Sequence, residues 1–554
     1  MKVKTIIKTG QLFMMAVLLA ACASEDIAQD KKKENGTEAP KGGVVFATND
    51  TKISAKRRFI DEDEFADAKT RTNIKHTPGN GADAYWTSDD FIWVKDKNGT
   101  WQKSTSITLH DGGASAEFTL PGNKTDYADG CEVRYTGTWP SATFDTHNWV
   151  DFPYSQSRTV ANDFSKAGEW GDCGSGVARN TGNPDKFNFT LSHKSAYLCF
   201  LPRCENAALA PNIRLKGIKL NVTKATSNGN MSFFGISHSF DGENLFYGSS
   251  PTLRNYMDVS LPNFPLYTTA NQAANATYLV VPPDTYDFKI EYTIKDPTTN
   301  VETVITDIKT NITLDKGNIY DVTANLMIQR SFNINEYKYY MWDAYQDYWS
   351  GHLKGDGSPD GNYPQGRSDP RFYHENPNPL VAQPLAADRS CKDFPNVNEM
   401  CWYVMVGDPH WASCIYVNNG HLQKIDGMWI RKKSAIVTYL RANGYPTITE
   451  TDMKNGYKES PTAPFVDYRN ASCALSNTSV TNSIPTNIAD YFFLPVLGYY
   501  YSANLDKFGS LGAYWSSSAD PTGYAYAYVF VIHSFAIDVN GGYRANGMIG
   551  HVFE

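Results

Sequence analysis

Basic charge is in short supply: 51 Lys and Arg stand against 59 Asp and Glu, a net charge of −8 over 554 residues. A nucleic-acid partner needs a cationic face to neutralise phosphates, so none is expected. After the run Leu12–Leu19, no apolar stretch approaches the length that spans a bilayer as a helix. The nine Cys form no Cys-x-x-Cys pair, which disfavours zinc or thioredoxin-type chemistry. Among 11 His there is neither a His-x-His nor a His-Glu-x-x-His spacing, so no metal site stands out. The Gly-rich stretch Gly355–Gly361 lacks the Lys of a phosphate loop and carries Asp residues that repel phosphate. No cofactor, metal or catalytic residue is expected.

Aromatic residues are abundant instead. They make up 13% of the chain (34 Tyr, 28 Phe, 12 Trp) and occur with 41 Gly and 28 Pro. That mixture suits many short strands joined by turns. The length predicts about three to four domains, each able to bury its own core.

Residues 1–21 have the layout of an export signal: Lys2, Lys4 and Lys8, then the apolar run, then Ala20-Ala21. Leu19-Ala20-Ala21-Cys22 resembles a bacterial lipobox, which implies that the Cys22 thiol is lipidated and anchors the protein to the outer membrane. Residues 22–43 are polar and rich in charge, and read as a flexible tether. Cys131, Cys173, Cys199 and Cys204 fall in one part of the chain and Cys391, Cys401, Cys414 and Cys473 in another. Four in each part allow three pairings apiece, or buried free thiols.

From Val44 to Leu326 the apolar pattern has a period of two. The longest run is Tyr286, Phe288, Ile290, Tyr292 and Ile294, alternating with Asp287, Lys289, Glu291 and Thr293. One buried and one wet face predicts antiparallel sheets, punctuated by turns such as Asp96–Gly99 and Asp315–Asn318. The span is large for one sandwich, so two consecutive antiparallel β-sandwich lobes are expected, 44–207 and 208–330, divided near Glu205–Pro211.

Several segments in this span resemble the fimbrillin (type V pilin-like) family. They are Val44–Phe46, Thr70–Thr72, Trp86–Val94, Arg134–Pro140, Leu191–Leu198 and Leu314–Tyr320. The resemblance implies a pilus subunit from which a trypsin-like protease, cutting after an Arg, removes the first strand. A strand of the next subunit then fills the gap by β-augmentation. Val44–Phe46 would be the removable strand, with Arg57, Arg58 and Arg71 as candidate cleavage sites. Ser54–Arg58 reads as an accessible polar segment.

After Leu326 the texture changes. Residues 331–374 read as an aromatic and Gly/Pro-rich connector, and a helix is expected around Lys432–Ala442, stopped by Gly444 and Pro446. The tail 375–554 resembles bacterial C-type lectin-like modules, most specifically at Gly512–Ser518, with the strand Tyr514-Trp515-Ser516-Ser517. The resemblance implies an α+β fold in which Trp515 plugs the core and the Ser hydroxyls tie loops. The calcium-binding Glu-Pro-Asn, Gln-Pro-Asp and Trp-Asn-Asp motifs are absent, so calcium-dependent sugar binding has no support. Trp349, Trp402, Trp411 and Trp429 are the candidate ligand contacts for a host or microbial glycan or protein. Gly171–Gly176 resembles the nucleophile turn of chymotrypsin-like proteases, with Cys173 in place of Ser, but no upstream His segment supplies the family's base.

The combined expectation is a mainly β outer-membrane lipoprotein at the cell surface, a minor or tip pilus subunit in adhesion that meets other subunits by strand exchange. The alternatives are a non-polymerising glycan- or protein-binding lipoprotein and, remotely, a hydrolase. The strand Gly547–Phe553 is expected to pair within the C-terminal module.

Overall fold

The computed structural model describes residues 43–48, 55–59, 66–68, 73–77, 81–138, 146–227, 229, 237–247, 254–328, 333–376, 378 and 382–554. The signal segment, Cys22 and Arg71 lie outside the described residues, as does all of the tether except its last residue. The first strands in chain order are β1 (Gly43–Thr48), β2 (Ala55–Phe59), β3 (Ala66–Ala68), β4 (Asn73–Thr77) and β5 (Gly81–Tyr85).

The fold is mainly β. β1 belongs to a nine-stranded sheet, between the strands Ser115–Pro121 and Lys186–Phe189. Alternation sends Val44 and Phe46 inward, where they join Trp86, Val94, Phe118, Val133, Tyr135 and Phe187 in one core. This is the first lobe.

The second lobe packs two five-stranded sheets on each other. One runs Ser155–Ser157, Tyr256–Pro265, Arg214–Ala225, Asp284–Lys295, Glu302–Leu314. The other runs Thr277–Val281, Ala196–Arg203, Ile319–Asn325, β2, β3. The expected run from Tyr286 to Ile294 is one strand with its apolar face buried. Most pairs are antiparallel; among the parallel ones are β1 with Lys186–Phe189 and β2 with Ile319–Asn325. Parallel partners need long connections, and these come from opposite ends of their lobes' sequence.

The sheets do not divide at 207/208. Ala196–Arg203 pairs in parallel with Ile319–Asn325, so it belongs to the second lobe. Trp149–Asp151 and Ser155–Ser157 also pair with strands beyond residue 236. The turn near Pro211 is real, a 3-10 turn at Ala210–Asn212, but it joins two strands of the same lobe.

The connector is likewise part of the C-terminal module. Strand Lys338–Tyr340 pairs with Met548–Gly550, which continues into Leu511–Ala519, Tyr526–His533, Ala536–Tyr543 and Leu475–Asn477. Trp342 and Trp515 are both fully buried. The Trp342 indole N–H donates to the Ser516 carbonyl at 3.0 Å, and the Trp515 indole N–H to the Tyr340 carbonyl at 2.7 Å. An indole donor buried in a core needs such a partner, and each segment supplies one to the other. The helix Lys433–Ala442 forms as the pattern predicts. A second helix, Val397–Val406, lies almost wholly inside the module, and its N-terminus carries a capping box between Asn396 and Glu399.

The module docks on the second lobe through the hairpin His410–Asn418/His421–Arg431. Its turn is Asn419-Gly420, with φ of 49° and 78°, the geometry an Asn-Gly hairpin turn requires. The Asn212 side-chain amide donates to the Gly420 carbonyl at 2.9 Å, and Asp296 Oδ2 bonds His421 Nδ1 at 2.9 Å and the Leu422 N–H at 3.0 Å. Leu422 is buried among second-lobe residues.

Candidate functional site

Two places combine geometry with exposure: the slot that holds β1 and the surface of the C-terminal module. In the slot, Gly43–Ala47 pairs antiparallel with residues 121–117, and Val45–Thr48 pairs parallel with Lys186–Phe189. Phe46 stacks on Phe187 (4.9 Å, 14°) and meets Tyr127 edge-on (5.2 Å, 74°). The Thr48 hydroxyl accepts the Ala116 N–H at 2.9 Å. On the outer face, Lys186 Nζ reaches Glu117 Oε1 at 2.6 Å. Because Lys186 pairs with Val45 and Glu117 with Ala47, this ion pair crosses over β1. Its hydrogen bond to Lys186 outweighs partial burial and holds the Glu117 carboxyl below its ordinary value. Without β1, two strands would expose unpaired N–H and C=O groups beside an empty aromatic pocket.

Arg57 and Arg58 do not sit in an open polar loop. They lie in β2, paired with Ile319 and Tyr320 on one side and with β3 on the other. Their backbone is already in a ladder, which a protease cleft cannot grip until the strand unpairs. Immediately after the position of Arg71, β4 pairs with β5, and His76 in it bonds the buried Asp321 at 2.8 Å. The Gln272 side-chain amide donates to the His76 carbonyl at 2.6 Å.

In the module, the expected ligand-contacting indoles are mostly interior. Trp402 is fully buried in the helix Val397–Val406 and donates to the Gly456 carbonyl at 2.9 Å. Trp349 is enclosed with Tyr348 and Tyr500, and Trp429 with Phe493 and Cys414. Trp411 is half-buried against the module core. None of the three buried rings offers a face for a sugar to stack on, because each fills the core beneath a sheet or turn. Trp515 does plug the core, and the Ser516 hydroxyl donates to the Pro395 carbonyl at 3.0 Å, tying the loop before the buried helix to the sheet.

The exposed chemistry lies elsewhere. A cleft of about 540 Å³ is lined by Tyr340, Tyr345, Gln346, Asp347, Asp388 and Arg389, among others. Tyr345 is 69% exposed, with the Arg389 guanidinium 4.0 Å over its ring. The buried Asp343 fixes one wall: its carboxylate accepts the N–H groups of Asp388, Arg389 and Cys391 and bonds His374 Nδ1 at 2.8 Å. The aromatic density of Tyr337–Trp349 was the sequence signal for this cleft, but assigning the segment to a connector hid it. A larger groove of about 1000 Å³ separates the second lobe from the module, between Thr303–Asp307 and Ser413 and Ile415.

Among the described residues, two groups bring possible metal-ligating atoms within 4.8 Å of one another: His76, Cys199 and Asp321, and Asp343, His374 and Asp388. In the Gly171–Gly176 turn, Cys173 is fully buried and burial pushes its thiol well above the usual range. Its sulfur lies 3.3 Å from the Ser195 hydroxyl, and the nearby His193 bonds Asp172 at 2.8 Å instead. The buried thiol is held neutral, its hydrogen-bond partner is the Ser195 hydroxyl, and His193 Nδ1 is engaged by Asp172 and Tyr197.

No family model matches the chain, and no curated protein does. Among solved structures it is similar to a candidate cell adhesion protein from Bacteroides ovatus (15% identity, 46% of this chain and 90% of that one, TM-score 0.27). It is also similar to a fimbrial protein from Bacteroides ovatus (10% identity, 92% of this chain and 99% of that one, TM-score 0.22). A third likeness is to the fimbrial anchor protein Mfa2 from Porphyromonas gingivalis (10% identity, 48% and 83%, TM-score 0.20). At these TM-scores the likeness defines no family.

Proposed function

We propose that the protein reaches the cell surface as a lipoprotein anchored through Cys22, is freed from that anchor by cleavage after an Arg, and then serves as a tip subunit of a pilus in adhesion. The observation that carries this reading is the placement of β1. It is a short strand, laddered on both sides and filling the core with Val44 and Phe46, yet its chain continues at once into another lobe. Such a strand is replaceable, because the ladder is backbone and the pocket asks only for alternating apolar side chains.

Of the three Arg sites, Arg71 fits the reading best. A cut there would release β1 together with β2 and β3, opening the first lobe's slot and the edge of Ile319–Asn325 in the second. The new N-terminus would begin at Thr72, next to β4, which is already held at His76. The strand Met548–Gly550 is paired on both sides within the module, so it is not available to fill a neighbour's slot. A subunit that accepts but does not donate ends a polymer, with the module facing outward to its ligand.

N-terminal sequencing of surface material tests the reading, with an expected start at Thr72. Intact molecules beginning at Cys22 throughout would favour a lipoprotein that never polymerises. Antibody to residues 331–554 should label one end of each pilus, and labelling along the shaft would defeat the tip assignment.

A further inference from the structure

The four cysteines of the C-terminal part leave three pairings open, and the fold brings one pair together. Cys401 Sγ and Cys473 Sγ lie 3.3 Å apart, both buried and 72 residues apart in sequence. Cys391 instead accepts the Asp343 N–H, and Cys414 packs with Trp429 and Phe493. We propose that Cys401 and Cys473 are a disulfide-forming site that staples the buried helix Val397–Val406 to the loop before Leu475–Asn477.

The walls on both sides of the pair are fixed, so the approach is not an accident of a loose loop. From the helix, the Asn398 side-chain amide donates to Asp467 at 2.9 Å, and Asn398 Oδ1 accepts the Tyr468 N–H at 2.8 Å. Further along, the Asn477 side-chain amide donates to the Val404 carbonyl at 2.8 Å. On the loop, the Cys473 N–H donates to the Tyr528 hydroxyl at 3.0 Å, and that hydroxyl donates to the Ala471 carbonyl at 2.9 Å. Rotation about the two Cα–Cβ bonds is the motion that would close the remaining gap to a bond of about 2.0 Å.

The reaction needs a disulfide donor, and a thiol–disulfide oxidoreductase in its oxidised form is the class that supplies one. One cysteine thiolate attacks the donor disulfide, giving a mixed disulfide and one donor thiol. The second cysteine thiolate then displaces the other donor sulfur. Two protein thiols become one disulfide, and the donor takes up both electrons and both protons as a dithiol. Inside the folded module, the bond to Cys473 and burial hold Cys401 as the thiol. Exchange therefore belongs to the chain before the core closes around the helix.

In the cell the reaction requires an oxidising compartment, so there it rests on the export reading, but the site can be tested without it. The full chain is refolded from denaturant in a reduced and oxidised glutathione buffer, then alkylated under denaturing conditions and mapped by mass spectrometry. The expected result is two fewer alkyl groups than the fully reduced chain takes up, with one linked peptide pair, containing Cys401 and Cys473, lighter by two hydrogens than its two unalkylated peptides together. That link should vanish in Cys473→Ala. Reductant should lower the thermal midpoint of the native sequence but not that of the Cys401→Ala/Cys473→Ala double variant. Full alkylation of both residues after refolding, or a link from Cys401 to another cysteine, overturns the proposal. Protein recovered from whole cells with both thiols free, beside a linked refolded protein, supports the site and counts against export.

Discussion

β1 in the first lobe and the strand Lys338–Tyr340 in the C-terminal module look alike on paper, each a short strand remote in sequence from the sheet it joins. They are held by different physics. β1 is held by two ladders and by aromatic packing around Phe46. Strand Lys338–Tyr340 has one three-residue ladder, at the edge of its sheet. Much of its hold comes from named side chains: the exchanged indole bonds of Trp342 and Trp515, the Tyr339 hydroxyl donating to the Leu497 carbonyl, and the buried Arg544 stacked 4.3 Å over Trp342. A backbone ladder accepts any strand with the right alternation, whereas an indole seeking one carbonyl accepts only its own segment. The first arrangement suits exchange and the second suits permanence.

The largest effect that can break this comparison is a truncation. A fragment of residues 333–554 should fold, whereas 375–554 should not, because it leaves the indole and hydroxyl bonds of Trp515 and its neighbours without partners. Circular dichroism and a cooperative melt of the two fragments decide it. If 375–554 melts like the longer fragment, residues 333–374 are a connector after all.

Next is Phe46→Ala. Emptying the pocket between Phe187 and Tyr127 should destabilise the first lobe by about 3–5 kcal/mol, read by urea denaturation. A synthetic peptide repeating the alternation of β1 should recover part of the loss once the native strand is weakened. The corresponding peptide from Lys338–Tyr340 should not rescue a truncated module.

The two strands were not equally legible in the sequence. Val44–Phe46 showed by the resemblance of the segments around it, at the head of a span with a period of two. Lys338–Tyr340 did not show as a strand, although the sheet it joins did, through the resemblance at Trp515. Residues 331–374 were misread because Gly, Pro and Asp density is a sound turn signal that says nothing about what the turns pack against. Trp342 and Arg544 are fixed by partners 170 or more residues away, at Ser516 and His374, and no local pattern encodes that. The helix Val397–Val406 was missed because it is apolar nearly all round and so lacks the one-sided periodicity of a surface helix. Its capping box, Asn396 with Glu399, was the available signal. Ser54–Arg58 read as an open polar segment from composition, and only the parallel pairing with Ile319–Asn325 shows that the backbone of Arg57 and Arg58 is laddered.

A third, smaller effect concerns the docking of the module on the second lobe. Burial alone would raise the Asp296 carboxyl, but bonds from His421 and from the N–H groups of Thr298, Leu422 and Thr299 hold it below its ordinary 3.8. A carboxylate with a lowered folded value stabilises fully above the unfolded value, and loses that contribution as pH falls through the lower one. Docking should therefore hold at neutral pH and weaken below about pH 4. Asp296→Ala should cost about 2–3 kcal/mol of docking free energy at neutral pH, since it strands the Leu422 N–H. Small-angle scattering should show expansion without loss of strand signal. An unchanged radius in both cases would mean that Leu422 and the hairpin tip suffice.

The smallest effect is the most discriminating for β1. The Lys186–Glu117 ion pair crosses the outer face of the strand and is about one-third exposed on both sides, 34% and 33%. Pairs at that exposure contribute no more than about 1 kcal/mol, because water screens the charges and ordering the side chains costs entropy. Glu117→Gln should therefore lower first-lobe stability by less than about 1 kcal/mol in urea. The Glu117 carboxyl is held below its ordinary 4.5, so the native protein should lose this contribution as pH falls through the lower value. The variant should be flat over that window. A loss as large as that of Phe46→Ala would show that β1 is gripped by a specific side-chain strap, as Lys338–Tyr340 is by its indoles. A strand gripped in that way would not be free to be exchanged, and the contrast between the two regions would fail.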